Sequence, residues 1–316
     1  MQIVVLDDFE LGSENLGRLA AHGEVSVYEG LPADDDELVA RADGAEVALC
    51  CWTRVGSAAL ERLPRLRMIS LAATGTDTVD VGAAARRGVV VCRVPAYATN
   101  AVAELTLGLM LAVARKIATA DRSFRETRAE DWRPFVGREL CGGTLGVVGT
   151  GLIGRRVARL GHCLGMRILA YDVCRSDELV EELDATYVPL NRLFAHSDVV
   201  TLHAPLTAET EHMVDAPLLA RMPRHAILIN AARAGLVQQA DLYEALRSGA
   251  IAGAGLDVLD MDCPSAAGIL ALDNVVVTPH IGFNTGEASA TLAAICTDNA
   301  VRFLEGRPRN VAGPDV

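Results

Sequence analysis

Arg233, Asp257, Asp262 and His280 stand just past short apolar runs in the second half of the chain, and their side chains suit anion binding and proton transfer. An arginine presents a planar fork of N–H donors that matches a carboxylate. An imidazole can give a proton in one direction of a reaction and take it back in the other. A carboxylate set against that imidazole raises its proton affinity and fixes its tautomer, and Asp262 is the candidate for that place. A cation, a proton carrier and an acid are what the reduction of a 2-oxo acid requires beside a source of hydride. Each residue alone has a plainer reading: a surface ion pair for Arg233, a core turn for His280, one more charge in an acidic loop for Asp262. Their placement at successive strand ends favours the chemical one.

A site for the hydride source is written at Gly149-Thr150-Gly151-Leu152-Ile153-Gly154, a G-x-G-x-x-G turn. An apolar strand, Leu145 to Val148, precedes it, and a helix opens after it. In such a turn the first glycine permits the tight bend, the second lets backbone approach a pyrophosphate, and the third packs helix on strand. The helix N-terminus then offers N–H groups and a positive dipole end to the phosphates. A second strand, Arg167 to Tyr171, leads to Asp172, at about the 20-residue separation where an acid should bind the adenosine ribose hydroxyls. An aspartate there repels a 2′-phosphate, so NAD is expected over NADP. Arg175 nearby could soften that preference.

The elements that must position these residues alternate. Ile3 to Leu6, Val25 to Tyr28, Val47 to Cys51, Met68 to Ala72 and Val89 to Val91 read as strands separated by helix-length stretches. No glycine fingerprint follows any of them. Thr74 follows the fourth strand, where such sheets bind ligands; the plain alternative is a turn and helix cap. A long helix is expected from about Asn100 to Asp121, apolar on nearly all sides and so buried between two domains. The alternation resumes with Asp198 to Leu202, Ala226 to Asn230, Ile251 to Asp257 and Val275 to Thr278, and a helix closes the chain from Thr285 to Gly306. The fold class is therefore α/β with two doubly wound parallel sheets.

Bulk properties narrow the function further. The 316 residues carry a formal net charge of -12 without a basic run, which argues against nucleic acid and anionic membranes as partners. Met1 to Asp8 reads as a strand and not a signal peptide, and the apolar tract between Glu104 and Arg115 is too short to span a bilayer. Eight cysteines without metal-ligand spacing read as reduced core thiols of a cytoplasmic protein, and no metal site is expected.

The sequence resembles the D-isomer-specific 2-hydroxyacid dehydrogenases over almost its whole length. The resemblance lies in Val94-Pro-Ala-Tyr-Ala-Thr-Asn-Ala-Val-Ala-Glu-Leu-Thr, the Gly149 turn, Leu202-His-Ala-Pro-Leu-Thr, Ile229-Asn-Ala-Ala-Arg-Ala-Gly-Leu-Val, Ala254-Gly-Leu-Asp-Val and Thr278-Pro-His-Ile-Gly, in that order. It implies a Rossmann NAD domain, residues 99–282, inserted into a flavodoxin-like substrate domain formed by 1–98 and 283–316, with a cleft that closes by hinging. It implies a catalytic set of Arg233, Asp262 and His280, and places Asp257 at the nicotinamide carboxamide. Backbone N–H groups of Ala73, Thr74 and Gly75 would receive the substrate carboxylate together with Arg233. His203, Ala204, Pro205, Ala231 and Ala232 join the glycine turn, Asp172, Arg233, Asp257 and His280 on the cofactor side. A homodimer is implied, with the long apolar helix feeding its interface.

Two departures stand out. The family pattern D-V-F-x-x-E-P is here Asp257-Val-Leu-Asp-Met-Asp-Cys-Pro, so the acid is one methylene short; Asp260 is a less favoured substitute. The segment from Pro264 to Asn274 also looks shorter than usual. For the substrate, Arg54 is the one cation close to Cys50-Cys51-Trp52, and the chain stops soon after Arg309, both against phosphoglycerate. A formate enzyme would pair its histidine with glutamine. A short 2-oxo acid such as glyoxylate, hydroxypyruvate or pyruvate is expected. The rival readings are an NAD-sensing regulator or corepressor on the same fold, and a catalytically decayed relative.

Overall fold

Short Val-, Ile-, Leu- and Ala-rich runs buried on both faces form parallel strands, because a crossover returns the chain to the same sheet edge between them. A computed structural model describes residues 1–313 and divides the chain into two units, Met1–Ala98 with the segment from Asn284 on, and Thr99–Phe283. In the first unit the strands are β1 (Gln2–Val5), β2 (Glu24–Val27), β3 (Val47–Cys50), β4 (Met68–Leu71) and β5 (Val90–Cys92). They form one sheet in the order β2-β1-β3-β4-β5, the flavodoxin-like winding. The helices between them are α1 (Gly12–Ala20), α2 (Asp35–Arg41), α3 (Ser57–Glu61) and α4 (Val81–Arg86). Asp34 and Asp80 cap α2 and α4 by accepting from the N–H groups of Glu37 and Ala83. The C-terminal helix, Gly286–Leu304, belongs to this unit and packs on α1, β3 and β4, where Ser70 Oγ donates to the Cys296 carbonyl at 2.8 Å.

The second unit holds α5 (Thr99–Ala114), α6 (Ile117–Thr127) and seven strands: β6 (Thr144–Val148), β7 (Arg167–Tyr171), β8 (Thr186–Tyr187), β9 (Val199–Leu202), β10 (Ile227–Asn230), β11 (Gly253–Leu256) and β12 (Val275–Val277). The order β12-β11-β10-β9-β6-β7-β8 is the dinucleotide-binding winding with one strand added. Helices α7 (Leu152–Cys163), α8 (Asp177–Leu183), α9 (Leu190–His196), α10 (Ala216–Leu219), α11 (Gln239–Arg247) and α12 (Ala266–Leu270) make the crossovers. The order reverses between β6 and β9, so the ends of those two strands open the crevice where such sheets take ligands.

The single helix expected from about Asn100 to Asp121 is two. Lys116 takes a left-handed conformation, φ +53°, between α5 and α6. The returning backbone explains the stop: Arg138 N–H donates to the Ala114 carbonyl at 2.8 Å, occupying an acceptor a continuing helix would use. Helix α5 packs on α7 and on β10, β11 and β12 within its own unit, which accounts for its apolar faces. Helix α6 buries none of its residues. The cysteines also differ from expectation: Cys50, Cys51, Cys92 and Cys296 are buried, but Cys141, Cys163 and Cys174 are exposed.

The loop after β3 is fixed by one side chain. Asp7, only 1% exposed, accepts from the N–H groups of Cys51, Trp52 and Thr53 at 2.8, 2.8 and 2.6 Å. A buried carboxylate is tolerable only with such a set of donors, and removing it leaves the donors orphaned. Asp7→Ala is therefore expected to lower unfolding free energy by about 3 kcal/mol in urea titration; a loss below about 1 kcal/mol would show that water replaces the carboxylate at little cost.

Candidate active site

The glycine turn is shaped by contacts that leave no room for side chains. Gly149 has φ +89°, and a Cβ there would lie 2.6 Å from both Ala204 N and His203 C. A Cβ on Gly154 would sit 1.9 Å from the Gly149 carbonyl oxygen, so the first turn of α7 rests directly on the bend. Gly151 differs: a Cβ there meets no protein atom within 4 Å. Space is thus kept beside the turn at the glycine that the sequence pattern assigns to the approach of a pyrophosphate. Thr150 is buried, while Leu152 at the head of α7 is exposed and Ile153 half-buried. This fits a pyrophosphate held on backbone N–H groups.

Past β7, Asp172 is half-buried and reaches back to the turn. Its Oδ2 accepts from Thr150 N–H at 2.5 Å and from Thr150 Oγ1 at 3.1 Å, and its Oδ1 accepts from Cys174 N–H at 2.9 Å. On the other side of β6, His203 N–H donates to the Val148 carbonyl at 2.7 Å, and its Nε2 lies 2.9 Å from Thr201 Oγ1. Burial pushes the His203 imidazole well below its ordinary range, so it stays neutral and is poorly suited to proton transfer at physiological pH. Ala204 and Pro205 follow it, with the Pro205 carbonyl accepting from Thr210 Oγ1 at 2.6 Å.

At the end of β10 the buried Asn230 organises the next turn. Its Oδ1 accepts from Ala232 N–H at 3.1 Å and its Nδ2 donates to the Arg233 carbonyl at 2.9 Å. Ala231, Ala232 and Arg233 are half-buried there, and Arg233 Nη1 donates to the Ala232 carbonyl at 2.9 Å. Asn230 was readable as an amide bonding to the backbone two residues on, but a strand-end asparagine carries no positional signal in sequence.

Asp257 fixes the last loop. It is 1% exposed and accepts from Thr278 Oγ1 at 2.5 Å, Ile281 N–H at 2.9 Å and Gly282 N–H at 2.8 Å. His280 sits inside this clasp with φ +55°, its N–H donating to the carbonyls of Asp257 and Thr278. Positive φ is uncommon outside glycine, and residues held so gather at functional sites. The His280 ring lies edge-on to Phe283, centroids 6.0 Å apart. Partial burial pushes the His280 imidazole down from its ordinary range; Asp257 raises it and Arg233 lowers it further. The structure thus sets His280 under the influence of both Asp257 and Arg233. It does not bring Asp262 to His280: Asp262 is exposed, its N–H donates to Asp260 Oδ1 at 3.0 Å, and it is not among the charges acting on the ring.

In the first unit, Ala73, Thr74 and Gly75 follow β4. Thr74 Oγ1 donates to the Val94 carbonyl at 2.9 Å, Val94 N–H to the Ala73 carbonyl at 2.8 Å and Arg93 Nη1 to the Thr74 carbonyl at 3.3 Å. The loop is thus held through its hydroxyl and carbonyl groups. Among the described residues no group of three His, Cys, Asp or Glu could hold a metal, and no helix is long and apolar enough to cross a membrane.

Known proteins share this fold. Residues 107–282 match the model of the D-isomer specific 2-hydroxyacid dehydrogenase NAD binding domain. The chain is 40% identical over 287 residues to a glycerate dehydrogenase of Methylorubrum extorquens, covering 87% of this chain and 88% of that one. It is 34% identical to a hydroxypyruvate reductase of Blautia hydrogenotrophica, covering 98% and 99%. The fold superposes on a D-lactate dehydrogenase from Aquifex aeolicus complexed with NAD and lactic acid, with a TM-score of 0.86, 28% identity and coverage of 97% and 96%. Relatives of this kind are enzymes, which removes the footing of the sensor reading. The chain belongs to the D-isomer specific 2-hydroxyacid dehydrogenase family and is an NAD-dependent oxidoreductase of the α/β class.

Proposed function

We propose that the protein reduces a short 2-oxo acid to its D-2-hydroxy acid, with His280 as acid and base and Arg233 as the carboxylate ligand. The observation that carries this is the clasp of Asp257 around the His280 turn, with Arg233 close enough to act on the same ring. Bound NADH supplies the hydride to the carbonyl carbon. His280 gives its proton to the carbonyl oxygen as that oxygen gains charge, and takes it back in the reverse direction. Arg233 holds the substrate carboxylate by its fork. In the first unit the backbone N–H groups of Ala73, Thr74 and Gly75 are the proposed carboxylate donors, on a loop that spends its carbonyls and hydroxyl within that unit.

On the cofactor side, Gly149 to Gly154 cradle the pyrophosphate, Asp172 receives the ribose hydroxyls, and His203, Ala204, Pro205, Ala231 and Ala232 line the approach. Asp257 holds the nicotinamide side of the loop in place. Asp262 keeps the family's acid position in sequence, and its part in this proposal is to approach His280 only when substrate is bound. Glyoxylate, hydroxypyruvate and pyruvate are the proposed substrates; the hydroxypyruvate reductase and the lactic acid complex among the relatives support the second and the third. A homodimer is supported by the exposed apolar side chains Ile117, Phe124, Trp132 and Val136, which α6 and the following segment leave on the surface. A cytoplasmic setting is supported by the free cysteines.

NADH consumption against these three acids tests the assignment, with His280→Ala expected to abolish turnover. Arg233→Ala should lower kcat/KM by about a hundred- to a thousandfold, about 3–4 kcal/mol of transition-state stabilisation; a variant that keeps wild-type kcat/KM would remove Arg233 from the site.

The pH dependence has a defined sign. Reduction needs the protonated imidazole, so its rate falls as pH rises through the His280 pKa, while oxidation gains on the same limb. Asp257 favours the imidazolium. Asp257→Asn is therefore expected to move the limb to lower pH in kcat/KM profiles; an unmoved or upward-shifted limb would mean another group titrates.

For the glycine turn, Gly151→Ala is expected to melt as wild type, because its Cβ meets no protein atom, yet to weaken NADH at least about tenfold in fluorescence titration. Unchanged NADH affinity would place the pyrophosphate elsewhere.

A further inference from the structure

The acid past β7 is the end of a directed hydrogen-bond chain. Ser176 N–H donates to Tyr187 Oη at 2.9 Å, Tyr187 O–H donates to Thr150 Oγ1 at 2.8 Å, and Thr150 O–H donates to Asp172 Oδ2 at 3.1 Å. Each hydroxyl has one proton and uses it once, so the direction of every link is determined by its neighbour. Chains of this kind polarise along their length, and a charged acceptor at the end strengthens the links before it. The Tyr187 ring has a second contact: the Arg175 guanidinium carbon lies 5.6 Å from its centroid. That distance is within cation–π range.

We propose that Tyr187 is a positioning residue for cofactor selection. Through Thr150 it aims the Asp172 carboxylate, and with its ring it keeps Arg175 from the 2′ side of the ribose; together these favour NADH over NADPH. This rests on the reading of Asp172 as the ribose ligand.

The geometry gives each part of the side chain a separate task. The hydroxyl orders the link between the phosphate-binding turn and the strand-end acid, because Thr150 belongs to the G-x-G-x-x-G bend and donates to Asp172 from both backbone and side chain. It also accepts from the N–H of Ser176, the residue that leads into α8, and so tethers the segment that carries Arg175. The ring holds the guanidinium. Arg175 is the cation nearest in sequence to Asp172 on this segment, and a 2′-phosphate would draw it by charge and by its fork of donors. Strand β8 is two residues long and pairs with β7 through Leu169–Thr186 and Ala170–Tyr187. That pairing sets Tyr187 beside the strand that delivers Asp172. A purely structural role, pinning β8 to the sheet, would change stability and leave the ratio of the two cofactors alone.

The test uses the intact chain and measures binding, not turnover. NADH and NADPH are titrated by fluorescence without substrate, and melting is recorded without cofactor, for Tyr187→Phe, Tyr187→Leu and Asp172→Ala. Tyr187→Phe keeps the ring and removes the hydroxyl; it is expected to weaken NADH about three- to tenfold, the size of one lost hydrogen bond, with NADPH little changed. Tyr187→Leu also releases Arg175 and is expected to tighten NADPH severalfold relative to Tyr187→Phe. Asp172→Ala should weaken NADH more than Tyr187→Phe does. If Asp172→Ala weakens NADH while both Tyr187 variants leave the NADH-to-NADPH ratio at the wild-type value, the relay is wrong and the ribose reading stands. If Asp172→Ala leaves NADH affinity unchanged, the ribose reading fails and the proposal fails with it.

Discussion

The turn that carries His280 depends on one buried carboxylate. Asp257 is withdrawn from water, and an isolated ionised group in such a place would cost several kcal/mol. Its two oxygens are instead met by one hydroxyl and two backbone N–H groups of the Thr278–Gly282 loop. Those bonds compensate the buried carboxylate and at the same time leave the loop with a single path. His280 takes positive φ because the residues on either side of it are already tied to the same side chain. The strain of that backbone is thus offset by hydrogen bonds that its neighbours make.

The same device recurs at two other strand ends. Asp7 lies past β1 and grips the N–H groups of Cys51 to Thr53, the loop after β3, which is the strand paired with β1. Asp172 lies past β7 and grips Thr150 N–H in the loop after β6, which pairs with β7. Asp257 lies past β11 and grips the loop after β12, again its neighbour. A parallel strand ends with N–H groups of the following loop that the ladder no longer serves. An aspartate one or two residues past the adjacent strand reaches them with a short side chain that loses little entropy on being fixed. Loops at the carboxyl edge of both sheets are made rigid in this way, and ligand-binding loops gain from rigidity because ordering is then complete before a ligand arrives.

Much of this was legible in sequence, and what was not has a physical reason. Strand positions follow from apolar runs and the turn at Gly149 from its glycines, because both are local signals that packing then reinforces. The break at Lys116 was missed because periodicity reports burial, and the apolar face of α5 ends where the backbone turns without any proline or glycine to mark it. Arg233 and His280 could be picked out by residue type. Asp257 could be placed at a strand end, but its grip on the His280 turn is a relation between residues more than 20 apart and has no local signature. Tyr187 was invisible for a similar reason: a two-residue edge strand gives no pattern, and the partners of its hydroxyl, Thr150 and Ser176, are brought to it only by the fold.

The acid that sequence pattern assigns to the histidine and the acid that acts on it in this structure are different residues, and their surroundings imply different work. Asp257 has its oxygens occupied by donors from the loop, so it cannot turn to share a proton with the imidazole; it acts on His280 through its field. A field from a fixed, buried charge is present whether or not substrate is bound, and it favours the imidazolium against the desolvation that opposes it. Asp262 stands in an exposed acidic stretch with its backbone on Asp260. A shorter side chain there cannot reach as far as a glutamate, so any hydrogen bond to His280 requires the Val258–Pro264 backbone to move. On the proposed reading, this divides the two roles that a single glutamate would combine. The constant part of the imidazole's proton affinity comes from Asp257, and the part that fixes the tautomer comes with closure of the loop. On that reading proton transfer would be coupled to substrate occupancy through the length of one side chain.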